Sequence, residues 1–161
     1  MLEKIFDDVL NDLTYEDINI NSSDKDGTTV LHYATMHNTD TIIIKILENY
    51  NANINSQDNH GQTPLHYAPD DYYLDSLELL LAHQDIKVNI QDYRGKTPLH
   101  YATKNRKGEC VTVLLVQKDI NVNGKDITGM TSLHYSTEKG DVECVKPLLI
   151  INTIDVNTKD S

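Results

Sequence analysis

Gly27, Gly61, Gly95 and Gly129 stand 34 residues apart, and His32, His66, His100 and His134, followed by Tyr33, Tyr67, Tyr101 and Tyr135, keep the same step. A chain that repeats itself at this period buries the apolar face of each unit against its neighbours, and needs no single central core. The four copies read Asp24-Lys-Asp-Gly-Thr-Thr-Val-Leu-His-Tyr-Ala34, Asp58-Asn-His-Gly-Gln-Thr-Pro-Leu-His-Tyr-Ala68, Asp92-Tyr-Arg-Gly-Lys-Thr-Pro-Leu-His-Tyr-Ala102 and Asp126-Ile-Thr-Gly-Met-Thr-Ser-Leu-His-Tyr-Ser136. A second register runs beside the first: Leu13, Leu47, Leu81, Leu115 and Leu149 are each followed eight residues later by Asn21, Asn55, Asn89, Asn123 and Asn157.

Glycine tolerates the positive φ of a tight turn, and Asp or Asn beside it can cap that turn with side-chain hydrogen bonds. This places a hairpin-like finger at residues 21–28 and at each translation of it. Thr63 and Thr97 read as helix N-caps, with Pro64 and Pro98 at the first helical position, where a missing N–H costs nothing. A second helix follows in each copy, marked by the i, i+3, i+4 triplets Ile43/Ile46/Leu47, Leu77/Leu80/Leu81, Val111/Leu114/Leu115 and Val145/Leu148/Leu149. Leu2, Ile5, Phe6, Val9, Leu10 and Leu13 give the same stripe over residues 2–13, the expected second helix of an incomplete first repeat that caps the N-terminal end. In the second copy Pro69 removes a helical hydrogen bond and crowds the preceding turn, so the first helix there is expected to end near Ala68. Asp70, Asp71, Tyr72 and Tyr73 then either project as an acidic, aromatic loop suited to an interface or fold their tyrosines back on the stack.

The pattern D-x-x-G-x-T-P-L-H-x-A resembles the ankyrin repeat, and the resemblance covers residues 2–161. It implies an all-α fold, an ankyrin-repeat solenoid of helix–turn–helix units with β-hairpin-like fingers. The implied organisation is a capping half repeat at 1–21, repeats at 22–55, 56–89, 90–123 and 124–157, and the start of an incomplete fifth finger at 158–161. The ankyrin consensus is about 33 residues; the extra residue falls between the second helix and the next finger, within 48–52, 82–86, 116–120 and 150–154. The usual Gly-Ala at that helix end is absent, so the loop must close differently. In the family the histidine bonds locally and bridges to the next repeat, which makes four of the seven histidines structural.

With a net charge of −11 and a pI near 4.9, the chain repels phosphate backbones, and nucleic acid is a poor partner. No stretch approaches the roughly 18 apolar residues of a membrane span, and no basic start with an uninterrupted apolar run marks a secretory signal. Cys110 and Cys144 are one repeat apart on matching helices, a spacing beyond disulfide reach, and read as buried thiols of a reducing compartment. The expected location is cytoplasmic, with the nucleus open as well. His37, His60 and His83 share no ligand spacing with cysteines or carboxylates, the repeated aspartates read as turn caps, and no nucleophile or phosphate-binding motif occurs. No cofactor, metal site or catalytic residue is expected.

What the resemblance implies instead is protein binding through an extended concave surface. By that likeness the variable recognition positions are Lys25, Asp26, Thr28, Met36 and His37; Asn59, His60, Gln62, Asp70 and Asp71, with Tyr72 and Tyr73 beside them; Tyr93, Arg94, Lys96, Lys104 and Asn105; and Ile127, Thr128, Met130, Glu138 and Lys139. The third repeat is conspicuously basic, since Arg94, Lys96, Lys104, Arg106 and Lys107 gather there in an acidic chain. Asn55, Asn89, Asn123 and Asn157, each eight after a leucine, also resemble substrates of the asparaginyl hydroxylase that acts on ankyrin repeats; closure of the finger by hydrogen bonds is the alternative. At the C-terminal end Leu148 and Leu149 are expected to pack inward, while Ile150 and Ile151, on a helix disturbed by Pro147, are expected to form a sticky face for a partner or for self-association.

The Asn-, Ile- and Lys-rich style and the Leu-His-Tyr-Ala wording resemble ankyrin proteins of large DNA viruses, poxviruses especially, which implies a protein that binds and blocks a component of host innate signalling. Two other readings stay open: a four-repeat protein similar to the cyclin-dependent-kinase inhibitors, and a targeting domain of a larger protein.

Overall fold

The structure, a computed structural model, describes residues 19–70 and 74–159. Eight helices occur in them: α1 Val30–Met36, α2 Asp40–Asn49, α3 Pro64–Tyr67, α4 Asp75–Leu81, α5 Pro98–Lys104, α6 Gly108–Leu115, α7 Ser132–Glu138 and α8 Val142–Ile150. Among the described residues strand pairing is confined to one isolated bridge, Ser23 with Thr29. The fold is all-α and made of helical repeats, as the period requires. The expected capping helix at residues 2–13 lies outside the described residues. Two compact units divide the chain, residues 1–86 with α1 to α4 and residues 87–161 with α5 to α8.

Every first helix starts the same way. Thr29, Thr63, Thr97 and Thr131 take extended backbone at the N-cap, and the histidine three residues on folds back to complete a capping box. The first helices of repeats one, three and four end in a Schellman turn: the N–H of Thr39 reaches the Ala34 carbonyl, that of Lys107 reaches Ala102 and that of Asp141 reaches Ser136. The left-handed residue this turn needs is Asn38 (φ 47°), Arg106 (φ 61°) or Gly140 (φ 60°).

In the first unit α1 packs against α2 and α3, and α2 against α4. Ile42, Ile43, Ile46, Leu77 and Leu80 fill the layer between the second helices, all essentially inaccessible. In the second unit α5 packs against α6 and α7, α6 against α8, and α7 against α8. Val111, Leu114, Cys144 and Leu148 are buried there, and both Cys110 and Cys144 are buried thiols. Burial, with the carboxylate of Asp141 beside it, pushes the Cys144 thiol up to about 12. Gly108 opens α6 because α8 leaves no room: a Cβ there would stand 2.9 Å from Glu143 Cβ and 3.0 Å from the Glu143 carbonyl.

Proline acts differently in the two places where it interrupts a helix. Pro69 ends the α-helical part of repeat two: α3 stops at Tyr67 and the chain tightens into a 3₁₀ turn, Ala68–Asp70. This matches the expected early end. Pro147 does not end α8, which runs through it to Ile150. What proline withdraws there is one hydrogen bond of a helix held by Cys144 and Leu148 in the core.

The loops after the second helices close without Gly-Ala. In repeats two, three and four, paired short turns do it: His83 N–H to Leu80 O and Ile86 to His83, then Gln117 to Leu114 and Ile120 to Gln117, then Ile151 to Leu148 and Ile154 to Ile151. Repeat one uses a different closure, with the Tyr50 N–H on Ile46 O and Ala52 on Tyr50.

Candidate functional site

The fingers are built around their aspartates. One carboxylate oxygen of each takes two backbone N–H groups: Asp26 and Thr28 on Asp24, His60 and Gln62 on Asp58, Arg94 and Lys96 on Asp92, Thr128 and Met130 on Asp126, at 2.7–3.0 Å. The other oxygen takes the hydroxyl of the tyrosine nine residues on, Tyr33, Tyr67, Tyr101 or Tyr135, at 2.5–3.0 Å. Each finger is thereby clamped to the first helix of its own repeat. This pairing was missed in the sequence, although the common nine-residue spacing of Asp and Tyr was its signal. Asp126 also accepts the Thr128 hydroxyl at 2.7 Å. Burial works against its charge, but the Thr128 and Tyr135 hydroxyls and the two N–H groups outweigh burial and hold its carboxyl down to about 2. The Tyr135 phenol is pushed far above the ordinary tyrosine value by burial and by that same carboxylate.

The histidines hold repeats together. The Thr29 N–H points at His32 Nδ1 (3.1 Å), which makes that nitrogen an acceptor and leaves the proton on Nε2; Nε2 then donates to the Gln62 carbonyl of the next repeat at 3.1 Å. His100 does the same between the Thr97 N–H (3.1 Å) and the Met130 carbonyl (3.2 Å). Both rings are buried, and desolvation lowers their pKa despite the carbonyl partner. Neutral, doubly bonded rings of this kind bridge successive repeats.

The asparagines bridge successive loops and do not merely close their own. Asn21 donates to the Asn51 carbonyl and accepts from the Asn53 N–H; Asn89 does so with Asp119 and Asn121, and Asn123 with Thr153 and Asp155. Asn55 donates to the Asp85 carbonyl at 2.8 Å. Residues 155–159 thus begin a fifth loop laid against repeat four. Asn157 is exposed, and its N–H bonds the Asp155 side chain.

Adjacent fingers within a unit are tied by backbone. The Asn59 N–H donates to the Asp26 carbonyl and the Ile127 N–H to Arg94 O, at 2.9 and 3.0 Å. Such proximity needs glycine: Gly27 and Gly95 have φ of 77° and 73°, and a Cβ on them would meet Asn59 N at 2.8 Å and Ile127 N at 2.9 Å.

Most recognition positions named from the sequence are accessible. Lys25, Asp26, His37, Asn59, His60, Tyr93, Arg94, Lys104, Ile127, Thr128, Glu138 and Lys139 are exposed, and Met36, Gln62, Lys96, Asn105 and Met130 are half-buried. Thr28 corrects the list, because it is buried beneath the finger that its N–H helps to close. Asn59 spends its carboxamide on the Lys25 carbonyl, and the His37 ring stacks on Tyr33. Asp71, Tyr72 and Tyr73 lie outside the described residues. On α8 the expected pattern is altered: Ile150 is 77% exposed and Ile151 only partly so, while Leu149, expected inside, is 53% exposed. Leu115 occupies the same register and is covered, which shows that the layer above this position, not the residue type, decides its burial.

Among the described residues no three His, Cys, Asp or Glu side chains gather as a metal site, and no helix is long and apolar enough to cross a membrane. A family model described as "Ankyrin repeats (3 copies)" matches residues 4–92 and 71–160, and the chain belongs to the ankyrin-repeat family. A search among curated proteins finds no match to it. Ankyrin repeats are in general protein-interaction modules.

Proposed function

We propose that the chain is a non-enzymatic interaction module that binds another protein through its fingertips and the adjoining faces of the first helices, and acts by covering that partner. The observation that carries this reading is how the polar signature residues are used. Asp24, Asp58, Asp92 and Asp126, with their threonines, histidines and tyrosines, are committed to hydrogen bonds that hold each repeat in shape and, at His32 and His100, tie it to the next. What remains outward in each unit is a set of side chains that differ from repeat to repeat, which suits recognition and not a shared chemistry.

In finer detail we take the partner to be a component of host innate signalling and the chain to be a cytoplasmic inhibitor of viral type, a reading supported by its compositional style. Neither nucleic acid nor a membrane is its target, and no cofactor is used. Affinity capture from mammalian lysate, followed by a signalling reporter in cells expressing the chain, tests this. One specific partner and a suppressed reporter are expected; capture with an unaffected reporter removes the signalling role and keeps the binding role. The short α3, four helical residues before the 3₁₀ turn, favours a second reading as a kinase-inhibitor-like protein, for which direct binding to a purified cyclin-dependent kinase is the test. Asn55, Asn89, Asn123 and Asn157 are the positions at which hydroxylation would occur, and intact mass of protein from mammalian cells would show the added oxygen.

A further inference from the structure

We propose that the second unit carries a preformed docking strip for an acidic protein segment with an apolar anchor, the anchor seated on Tyr93 and Ile127 and the carboxylates reaching Arg94, Lys96 and Lys104. This rests on the protein-binding reading above and gives the partner its chemistry.

Tyr93 and Ile127 occupy the same position of successive fingers and are 70% and 72% exposed. The Ile127 N–H bonded to the Arg94 carbonyl holds these two fingertips side by side, so the apolar pair is in place before any ligand arrives. The matching positions of the first unit hold Lys25 and Asn59, which offer no such anchor. Exposed apolar side chains gathered at one place mark contact surface.

Behind the tips the strip is basic. Across the variable positions of this unit stand Arg94, Lys96, Lys104 and Lys139 against Glu138, in a chain of net charge −11. Asp92 and Asp126 lie close to Lys96 and offset part of its charge, while their oxygens hold the fingers closed through backbone N–H groups and phenols. The Lys96 ammonium stands 4.7 Å from the centre of the Tyr135 ring, and Tyr135 is itself fixed by Asp126; Lys104 stands 5.9 Å from that of Tyr101. Cations steadied on anchored rings lose less side-chain freedom on binding. Desolvation first, then the charges of Lys104 and Arg94, lower the Lys96 pKa against the opposing pull of Asp126 and Asp92. A short acidic segment feels this local field, screened beyond about 8–10 Å from the rest of the molecule, whereas a long polyanion meets the net negative charge.

Random-peptide display on the full chain, followed by fluorescence anisotropy with the labelled winning peptide, tests the strip. Enriched peptides should place Asp or Glu beside a large apolar residue. Arg94→Glu with Lys104→Glu should weaken binding about tenfold or more, equivalent to about 1.4 kcal/mol, and flatten its salt dependence. Tyr93→Ser with Ile127→Ser should weaken it comparably while leaving the salt dependence intact. All four side chains are exposed, and unchanged circular dichroism would verify that the variants fold. Enrichment of peptides without acidic residues, or equal binding by the charge-reversed variant, overturns the strip and leaves the general binding role standing. Equally tight binding of a labelled oligothymidylate also overturns it, in favour of a nucleic-acid site.

Discussion

Asp126→Asn isolates what one finger clamp contributes. The substitution keeps the size of the side chain and one carbonyl acceptor but removes the charge that receives the Thr128 and Met130 N–H groups and the Tyr135 and Thr128 hydroxyls. A carboxyl held at about 2 against an ordinary 3.8 corresponds to about 2.4 kcal/mol, at about 1.36 kcal/mol per pH unit. Water reaches the finger from its open side and screens part of this, so about 1–2 kcal/mol is expected at neutral pH. The sign follows from the lowered value: the contribution is complete above pH 3.8 and is lost as the pH falls towards about 2, where the folded carboxylate takes up its proton. Urea unfolding of wild type and variant, followed by circular dichroism across that range, reads both features. The stability gap should be about 1–2 kcal/mol at neutral pH and close steadily below about pH 4. A variant as stable as wild type at neutral pH, or a gap that persists unchanged in acid, would refute the clamp.

Gly108→Ala should destabilise the second unit by about 1–3 kcal/mol although alanine favours helix, because the new methyl meets Glu143 Cβ at 2.9 Å; a raised melting temperature would contradict this. His32 and His100 titrate lower in the folded chain than in the unfolded one, so the unfolded state binds more protons below about pH 6.5 and stability should fall as acid is added through that point; His32→Gln with His100→Gln should flatten the curve, and an unaltered slope would count against the neutral rings. With its thiol up at about 12 and buried, Cys144 should resist alkylation until the chain unfolds, which mass-resolved labelling with iodoacetamide would check. Tyr135 should ionise well after the exposed tyrosines in an alkaline absorbance titration, and Asp126→Asn should bring it down towards them.

The period alone determined that this chain is built of repeats, because a 34-residue recurrence of turn, cap and stripe can bury its apolar face only by stacking like on like. Local chemistry fixed the rest of what could be read: the four glycines do adopt φ of 73–78°, the threonines do cap, and Pro69 does end a helix, since each depends on atoms within a few residues of itself. Contacts decided by distant neighbours stayed hidden. The sequence contains both members of every Asp–Tyr clamp, but only the fold of finger onto helix brings their oxygens together. Ile42 and Ser76 are buried by helices from the next or previous repeat, and Gly108 is glycine because α8 passes over it. Exposure at Tyr93 or burial at Thr28 is set by where the finger closes, so a list of variable positions becomes a surface only when backbone hydrogen bonds between fingers, such as that from Ile127 to Arg94, fix which side chains stand side by side.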